Sequence, residues 1–251
     1  MKTIGAPITI EKMHAGSFWK LVAAVNCFDG PISAELATQA AAGRRWQLLH
    51  DFPKDASRNN QLCRIEVRLL EDGYRCWIDL SEILSRSVSC GSWKPQLFPT
   101  DQIEKRIPNV LTWIEKAAAR KNQYLWGGTI GPDFDCSGLV QAAFASQGIW
   151  LPRDAYQQER FCKNLEISLT NYQMLLPGDL IFFGLHKKCT HVAIYLGDGV
   201  YCHSSGIQNG RNGIGCDGIE PFDENPVANY YRSQFLSAGR VLHSYDGTSF
   251  L

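Results

Sequence analysis

Residues 132–140 read PDFDCSGLV, and this stretch decides the reading of the second half of the chain. An acidic residue stands directly before a cysteine, and Ser-Gly and an apolar run follow it. The continuation CSGLVQAAFASQG puts Leu139, Val140, Ala143 and Phe144 on one face at helical spacing, with Gly148 as the C-terminal stop. Cys136 therefore opens a helix, and Asp135 takes the N-cap position. A helix start offers unpaired N–H groups and the positive end of the macrodipole, both of which favour an anion. A thiol there has a reason to ionise, and the thiolate is its nucleophilic form.

Working outward, PNVLTWIEKAAARKNQ opens at Pro108 and carries Val110, Ile114, Ala117 and Lys121 at helical spacing. The Gly-rich loop YLWGGTIGPDFD joins it to the Cys136 helix. After Pro177-Gly178 the runs LIFF, HVAIYLG and VYCHSS read as strands, so this half is predicted to be α+β, helices followed by an antiparallel sheet. Upstream, GSWKPQLFPTDQIEKRIP holds three prolines and little periodicity, and residues 91–107 read as a linker. Before it, FWKLV and WQLL are strand-like, and RIEVRLLEDGYRCWIDL alternates Ile65, Val67 and Leu69, turns at Asp72-Gly73, and resumes with Tyr74, Cys76 and Ile78. Period-two alternation about Asp-Gly predicts a hairpin, and several short strands in succession predict a small β-barrel. The expected organisation is a β-barrel domain over 1–90, the linker, and an α+β domain over 108–251.

Composition narrows the function. Lysine plus arginine equals aspartate plus glutamate at 25 each, which argues against broad electrostatic capture of nucleic acid or an anionic membrane. No uninterrupted apolar run approaches the length of a membrane span. The opening MKTIGAPITIEKMHAG breaks its apolar run at Pro7 and Glu11-Lys12, so a cytoplasmic location is expected. The nine cysteines are odd in number and contain no C-x-x-C pair, unlike a secreted disulfide framework or a thiolate zinc site. Most of them read as small buried side chains.

A nucleophilic thiol needs a base. Of the six histidines, His191 and His203 flank the Gly-Asp-Gly turn at 197–199, each on a strand-like run. A hairpin through that turn sets the two on adjacent strands, roughly opposite each other. His14, His50, His186 and His243 have no comparable setting. Zinc held by Cys189, His191, Cys202 and His203 is disfavoured, because residues two apart and adjacent along strands point poorly for tetrahedral chelation. A helix-start cysteine facing two histidines of one hairpin makes a Cys–His–orienting-residue constellation.

The stretches YLWGG, GPDFDCSGLV, LPRDAYQQ, PGDLIFF, THVAIYLGDG and YCHSSG follow the order and spacing of the NlpC-type cell-wall cysteine peptidases, a papain-like family, and residues 108–245 resemble it. ELATQAAAGRRWQLL and EDGYRCWIDL resemble a bacterial SH3-like domain, with Cys76 standing where that domain often has glycine. The combination is similar to the γ-D-glutamyl-L-diamino acid endopeptidases. The resemblance implies Cys136 as nucleophile, His191 as general base, His203 as orienting residue, and Tyr124 with the Cys136 N–H as oxyanion donors. It implies Glu35, Tyr74, Asp135, Ser137 and Asp154 as substrate-binding residues that select a free N-terminal L-Ala on a murein stem peptide. No cofactor, metal or obligate protein partner is implied. Hydrolysis of intact peptidoglycan and non-catalytic binding of murein peptides are the competing expectations.

Overall fold

The computed structural model describes residues 8–51, 64–220 and 225–248. Pro7 and Cys63 lie outside them. The chain divides into two compact units. One spans Met1–Pro95 and takes up Asp246–Ser249, and the other spans Gln96–Tyr245.

The first unit is a seven-stranded antiparallel sheet: β1 (Phe18–Leu21), β2 (Val25–Phe28), β3 (Leu36–Ala40), β4 (Arg45–Leu48), β5 (Arg64–Leu69), β6 (Arg75–Asp79) and β7 (Ser87–Ser89) in the order β3-β2-β6-β5-β4-β1-β7. One short helix, α1 (Leu80–Arg86), precedes β7. Alternation does the work expected of it: β5 buries Ile65, Val67 and Leu69 and leaves Arg64, Glu66 and Arg68 partly exposed. Val25, Cys27 and Ala40 from one end of the strand order share a core with Trp19 and Leu21 from the other, so the sheet wraps around one interior. The hairpin lies where the Asp-Gly signal put it, with Ile65 opposite Ile78 and Val67 opposite Cys76. Cys76 is buried beside Cys27, so the cysteine in the glycine position fills core volume.

The turn is anchored by buried charge. The Arg44 guanidinium donates to Glu71 at 2.9 Å and to Asp72 at 2.7 Å, and Asp72 also accepts the Tyr74 N–H at 3.2 Å. A Cβ on Gly247 would stand 2.2 Å from the Leu70 carbonyl oxygen. The chain's last described residues therefore lie on this turn and belong to the first unit, whereas the sequence reading ran the second domain to 251.

The second unit begins earlier than expected. Within the predicted linker, α2 (Thr100–Glu104) follows Pro99 at its N-cap, and Phe98 and Ile103 are buried with Val110, Ile114 and Phe144. Pro108 lies in the first turn of α3 (Ile107–Ala118), where a missing N–H leaves no helical bond unmade. Pro99 and Pro108, two of the three prolines that suggested a linker, are helix starters here. Two more helices, α4 (Cys136–Ala145) and α5 (Ala155–Phe161), precede most of the sheet. Its strands are β8 (Lys163–Leu165), β9 (Leu180–Leu185), β10 (Lys188–Gly197), β11 (Val200–Ser205), β12 (Gly213–Gly218) and β13 (Phe235–Arg240), in the order β12-β11-β10-β9-β13-β8. The helix α6 (Pro226–Arg232) lies between β12 and β13. Every pairing given for both sheets is antiparallel, and the molecule is an α+β protein.

The helix α4 is apolar nearly all round, with Leu139, Val140, Ala143 and Phe144 fully buried. It packs on β10 and β11. That places its first turn against the two strands that carry His191 and His203.

Candidate active site

The start of α4 is built around Asp135. As N-cap it accepts the Gly138 N–H on Oδ1 at 2.6 Å, and on Oδ2 it accepts the Gly127 N–H at 2.9 Å. The Arg153 guanidinium, 2% exposed, donates to Oδ2 at 2.6 Å and to the Ser137 hydroxyl at 2.8 Å. Gly138 is held against the preceding loop so closely that a Cβ there would stand 2.0 Å from the Gly128 carbonyl oxygen. Gln158 closes the other side, donating to the carbonyls of Ser137 at 3.1 Å and Pro152 at 2.9 Å.

The sequence reading gave Asp135 and Ser137 to ammonium recognition, and the structure gives them other partners. Both Asp135 oxygens are taken by two backbone N–H groups and a buried guanidinium, so its charge is already neutralised. The Ser137 hydroxyl is drawn into the same network. Asp154 stands differently: it is half-buried at the N-cap of α5, where the Gln157 side chain accepts the Asp154 N–H at 3.2 Å. Arg153, its neighbour, turns inward to Asp135.

Cys136 is buried on the first turn of α4, and its sulfur accepts the backbone N–H of Val192, the residue after His191. Burial, with the nearby Asp135 carboxylate adding to it, pushes the thiol up to about 12, against the N–H groups of Val192 and Ser137. The helix-start setting does not by itself ionise the thiol, as the sequence suggested; desolvation outweighs it.

The hairpin of β10 and β11 pairs Ile194 with Cys202 and Tyr195 with Tyr201, then shifts register at Gly197. Continuing that register sets His203 opposite Ala193, with His191 one step along the same face. The two histidines are therefore diagonal neighbours, not directly opposite, and imidazole rings span that offset. His191 Nε2 lies 2.7 Å from His203 Nδ1, with the ring planes at 87°. His203 Nε2 lies 2.6 Å from Asp217 Oδ2, on β12. Burial and then the neighbouring His203 hold the His191 imidazole well below its ordinary value, so it is neutral and able to accept a proton.

Tyr231, on α6, stacks on His191 with ring centroids 4.2 Å apart and meets His203 edge-on. Its hydroxyl is engaged by Ser205 at 2.8 Å and Asn209 at 2.9 Å, which fixes the plane that holds His191. Tyr124 keeps its phenolic proton, because burial and the proximity of Cys136 and Asp135 raise its pKa. It is thus a neutral O–H donor near the thiol. Glu35 and Tyr74 belong to the first unit, where Glu35 is exposed and Tyr74 packs on the barrel core.

Cys136, Tyr124, His191 and His203 thus come together. Asp217, Arg153 and Tyr231 were missed by the sequence reading. Asp217 had one available signal, its place in a short strand after Gly-rich turns, but nothing in GIGCDG says which histidine it meets. A buried thiol beside a chain of hydrogen-bonded imidazoles is equipment for acyl transfer through a covalent intermediate.

Residues 121–239 match the NlpC/P60 family and residues 28–83 match the bacterial dipeptidyl-peptidase Sh3 domain. The chain is 38% identical over 125 residues to the bifunctional muramidase/DL-endopeptidase CwlT of Bacillus subtilis, covering 47% of this chain and 32% of that protein. It is 40% identical over 84 residues to a gamma-D-glutamyl-L-lysine dipeptidyl-peptidase of Bacillus cereus, covering 32% of this chain and 24% of that one. It therefore spans about a third or less of the length of these curated relatives. Among solved structures, an NlpC/P60 family protein from Bacillus cereus is 21% identical with a TM-score of 0.45, over 90% of this chain and 64% of that one. Residues 121–239 are thus similar to the NlpC/P60 family, and residues 28–83, ahead of them in the chain, to the bacterial dipeptidyl-peptidase Sh3 domain.

Proposed function

We propose that this protein is a cysteine peptidase that hydrolyses the bond between γ-D-Glu and a diamino acid in free murein stem peptides with an unblocked N-terminal L-Ala. The observation that carries the reading is the 2.7 Å hydrogen bond between His191 and His203 on the strands that face the Cys136 helix start. The similarity to the Bacillus cereus gamma-D-glutamyl-L-lysine dipeptidyl-peptidase supports the bond assignment.

The chemistry follows from the groups present. Thiol and imidazole are both neutral at rest, so His191 takes the Cys136 proton as sulfur attacks the γ-carbonyl carbon. The carbonyl electron pair moves onto oxygen, where the Tyr124 O–H and the Cys136 N–H donate to it. Collapse of the tetrahedral adduct breaks the C–N bond, and His191 returns its proton to the departing amine. Water, deprotonated by the same imidazole, then attacks the thioester and frees the L-Ala-γ-D-Glu dipeptide and the thiol.

Selection of a free amine is the finer part of the proposal. Asp154, half-buried at the start of α5, is assigned the ammonium contact within the second unit. An acylated amine brings no charge to meet that carboxylate, and losing this ion pair costs about 3–5 kcal/mol in a desolvated pocket. Rejection of acylated stems is what spares intact wall, and it fits recycling of peptides in the cytoplasm. The decisive assay compares L-Ala-γ-D-Glu-diaminopimelate with its N-acetylated form. Cleavage of the free peptide alone is expected. Equal cleavage of both would support action on intact peptidoglycan instead, and binding without turnover would support a recognition module.

A further inference from the structure

The hydrogen-bond chain that starts at His191 does not stop at His203. Asp217 is fully buried in its side chain, and all four of its acceptor positions are used. Oδ2 meets His203 Nε2 at 2.6 Å and accepts from Arg211 at 2.7 Å, while Oδ1 accepts from Arg211 at 2.7 Å and from Asn225 at 2.8 Å. Arg211 and the Asn225 amide nitrogen act only as donors here. Asp217 is thus the one acceptor in this cluster for a proton carried on His203 Nε2.

The alternative tautomer can be judged from the same distances. Were His203 Nε2 unprotonated, it could accept from Arg211 Nη1, 3.1 Å away. Its lone pair would then face a carboxylate oxygen at 2.6 Å with no proton between them. With the proton on Nε2, that short contact becomes a charge-assisted hydrogen bond, and Arg211 keeps its two bonds to the carboxylate. His203 Nδ1 is then an acceptor, so the 2.7 Å contact to His191 requires the proton on His191 Nε2. His191 Nδ1 is left with its lone pair.

We propose that Asp217 is a positioning residue for the peptidase reaction: by accepting from His203 Nε2 it sets the tautomer of His203 and, through it, of His191, so that His191 offers Nδ1 as the base. This rests on the reading of Cys136 and His191 as nucleophile and base. A histidine orienter can donate or accept at either nitrogen, and by itself it leaves the base's proton undetermined. The carboxylate at the end of the chain removes that freedom. Because Arg211 balances its charge, Asp217 acts by proton placement more than by net charge on the histidine pair. Burial would push the Asp217 carboxyl up, but the donors His203 and Arg211 hold it below its ordinary value, so it is the ionised acceptor.

The test reads the histidine ring nitrogens directly, by long-range proton–nitrogen correlation spectra of the ¹⁵N-histidine-labelled full chain near neutral pH. In the unmodified protein, Nδ1 of both His191 and His203 should show the shift of an unprotonated nitrogen and Nε2 that of a protonated one. In Asp217→Asn at least one ring should change tautomer, and kcat/KM on the free peptide should fall by about 100-fold or more. Asn225→Ala, which removes one donor and leaves the carboxylate, should keep both tautomers. A protonated His203 Nδ1 in the unmodified protein would overturn the proposal, even if Asp217→Asn did not fold. So would unchanged tautomers in a folded Asp217→Asn with lost activity, since Asp217 would then be only structural. The spectra need no substrate, so they separate this proposal from the peptidase reading, which fails instead if Cys136→Ala remains active.

Discussion

His191 and Tyr231 stack with ring centroids 4.2 Å apart and planes inclined by 27°, while His203 meets both rings edge-on. The imidazole assigned as base is therefore held on its face by an aromatic and at its Nε2 by another imidazole. Two elements far apart in sequence, α6 and β11, define one ring orientation.

That arrangement makes His203 a positioning group. His203→Ala should lower kcat/KM by about 100- to 10,000-fold with little change in KM, because the base loses its fixed tautomer. His203→Asn, whose amide oxygen can accept from His191 Nε2, should recover part of the loss. Steady-state kinetics on the free peptide check this. Recovery by alanine as good as by asparagine would refute the role.

Arg153 and Asp135 form a pair that is almost fully out of solvent. Arg153→Ala leaves a buried carboxylate at the helix start and should cost about 3–5 kcal/mol of stability. Arg153→Lys, with one charge but no planar fork, should cost less. Urea midpoints at neutral pH give both values. A loss below 1 kcal/mol for alanine, roughly what an exposed pair gives, would contradict the burial argument.

Gly138 has no room for a methyl group, since its Cβ would lie 2.0 Å from the Gly128 carbonyl oxygen. Gly138→Ala must push the loop carrying Tyr124 and Gly127 away from α4. The expected result is a loss of about 1–3 kcal/mol and a larger proportional loss of kcat, because Cys136 and Tyr124 sit on the two sides of that contact. Thermal unfolding and kcat measured together test it, and an unaltered kcat would show that the contact does not set the site.

Stability should depend on pH at both limbs. Burial and then the Asp135 charge raise Cys136 from its ordinary 9.0 to about 12, and burial with nearby Glu159 raises Cys189 to about 12 as well. A raised thiol pKa means the unfolded chain ionises first, so this contribution is intact below pH 9 and is lost between pH 9 and 12. His191 is shifted the opposite way, by burial and then by His203, so its contribution is intact above its ordinary 6.5 and is lost as pH falls below it. Urea midpoints should be highest between those limits. A midpoint that keeps rising from pH 9 to 11 would contradict the account, and Cys136→Ala should soften the alkaline limb.

The sequence carried much of this because the informative residues are local. Cys136 lies between a capping aspartate and an apolar helical face, and the alternation around Asp72-Gly73 and around 197–199 marks two hairpins. What it could not carry depends on elements meeting across the fold. The cap role of Asp135 is local and legible, but its ion pair with Arg153 is not, because a whole helix separates the two in the chain. Asp217 and Tyr231 reach the histidines from β12 and α6, and no periodicity links them. The diagonal offset of His191 and His203 depends on the register shift at Gly197, which the turn residues alone do not determine. The prolines of 91–107 suggested a linker because proline composition is the same for a break and for a helix start.

The central claim is that Cys136 carries the acyl group between the two halves of the reaction. Acid quenching during turnover of L-Ala-γ-D-Glu-diaminopimelate, followed by intact-mass and peptide-level mass spectrometry, measures it directly. The account predicts a covalent L-Ala-γ-D-Glu adduct on Cys136, absent from Cys136→Ala, which should also release no diaminopimelate. Release of diaminopimelate by Cys136→Ala, or an adduct on another residue, would contradict it.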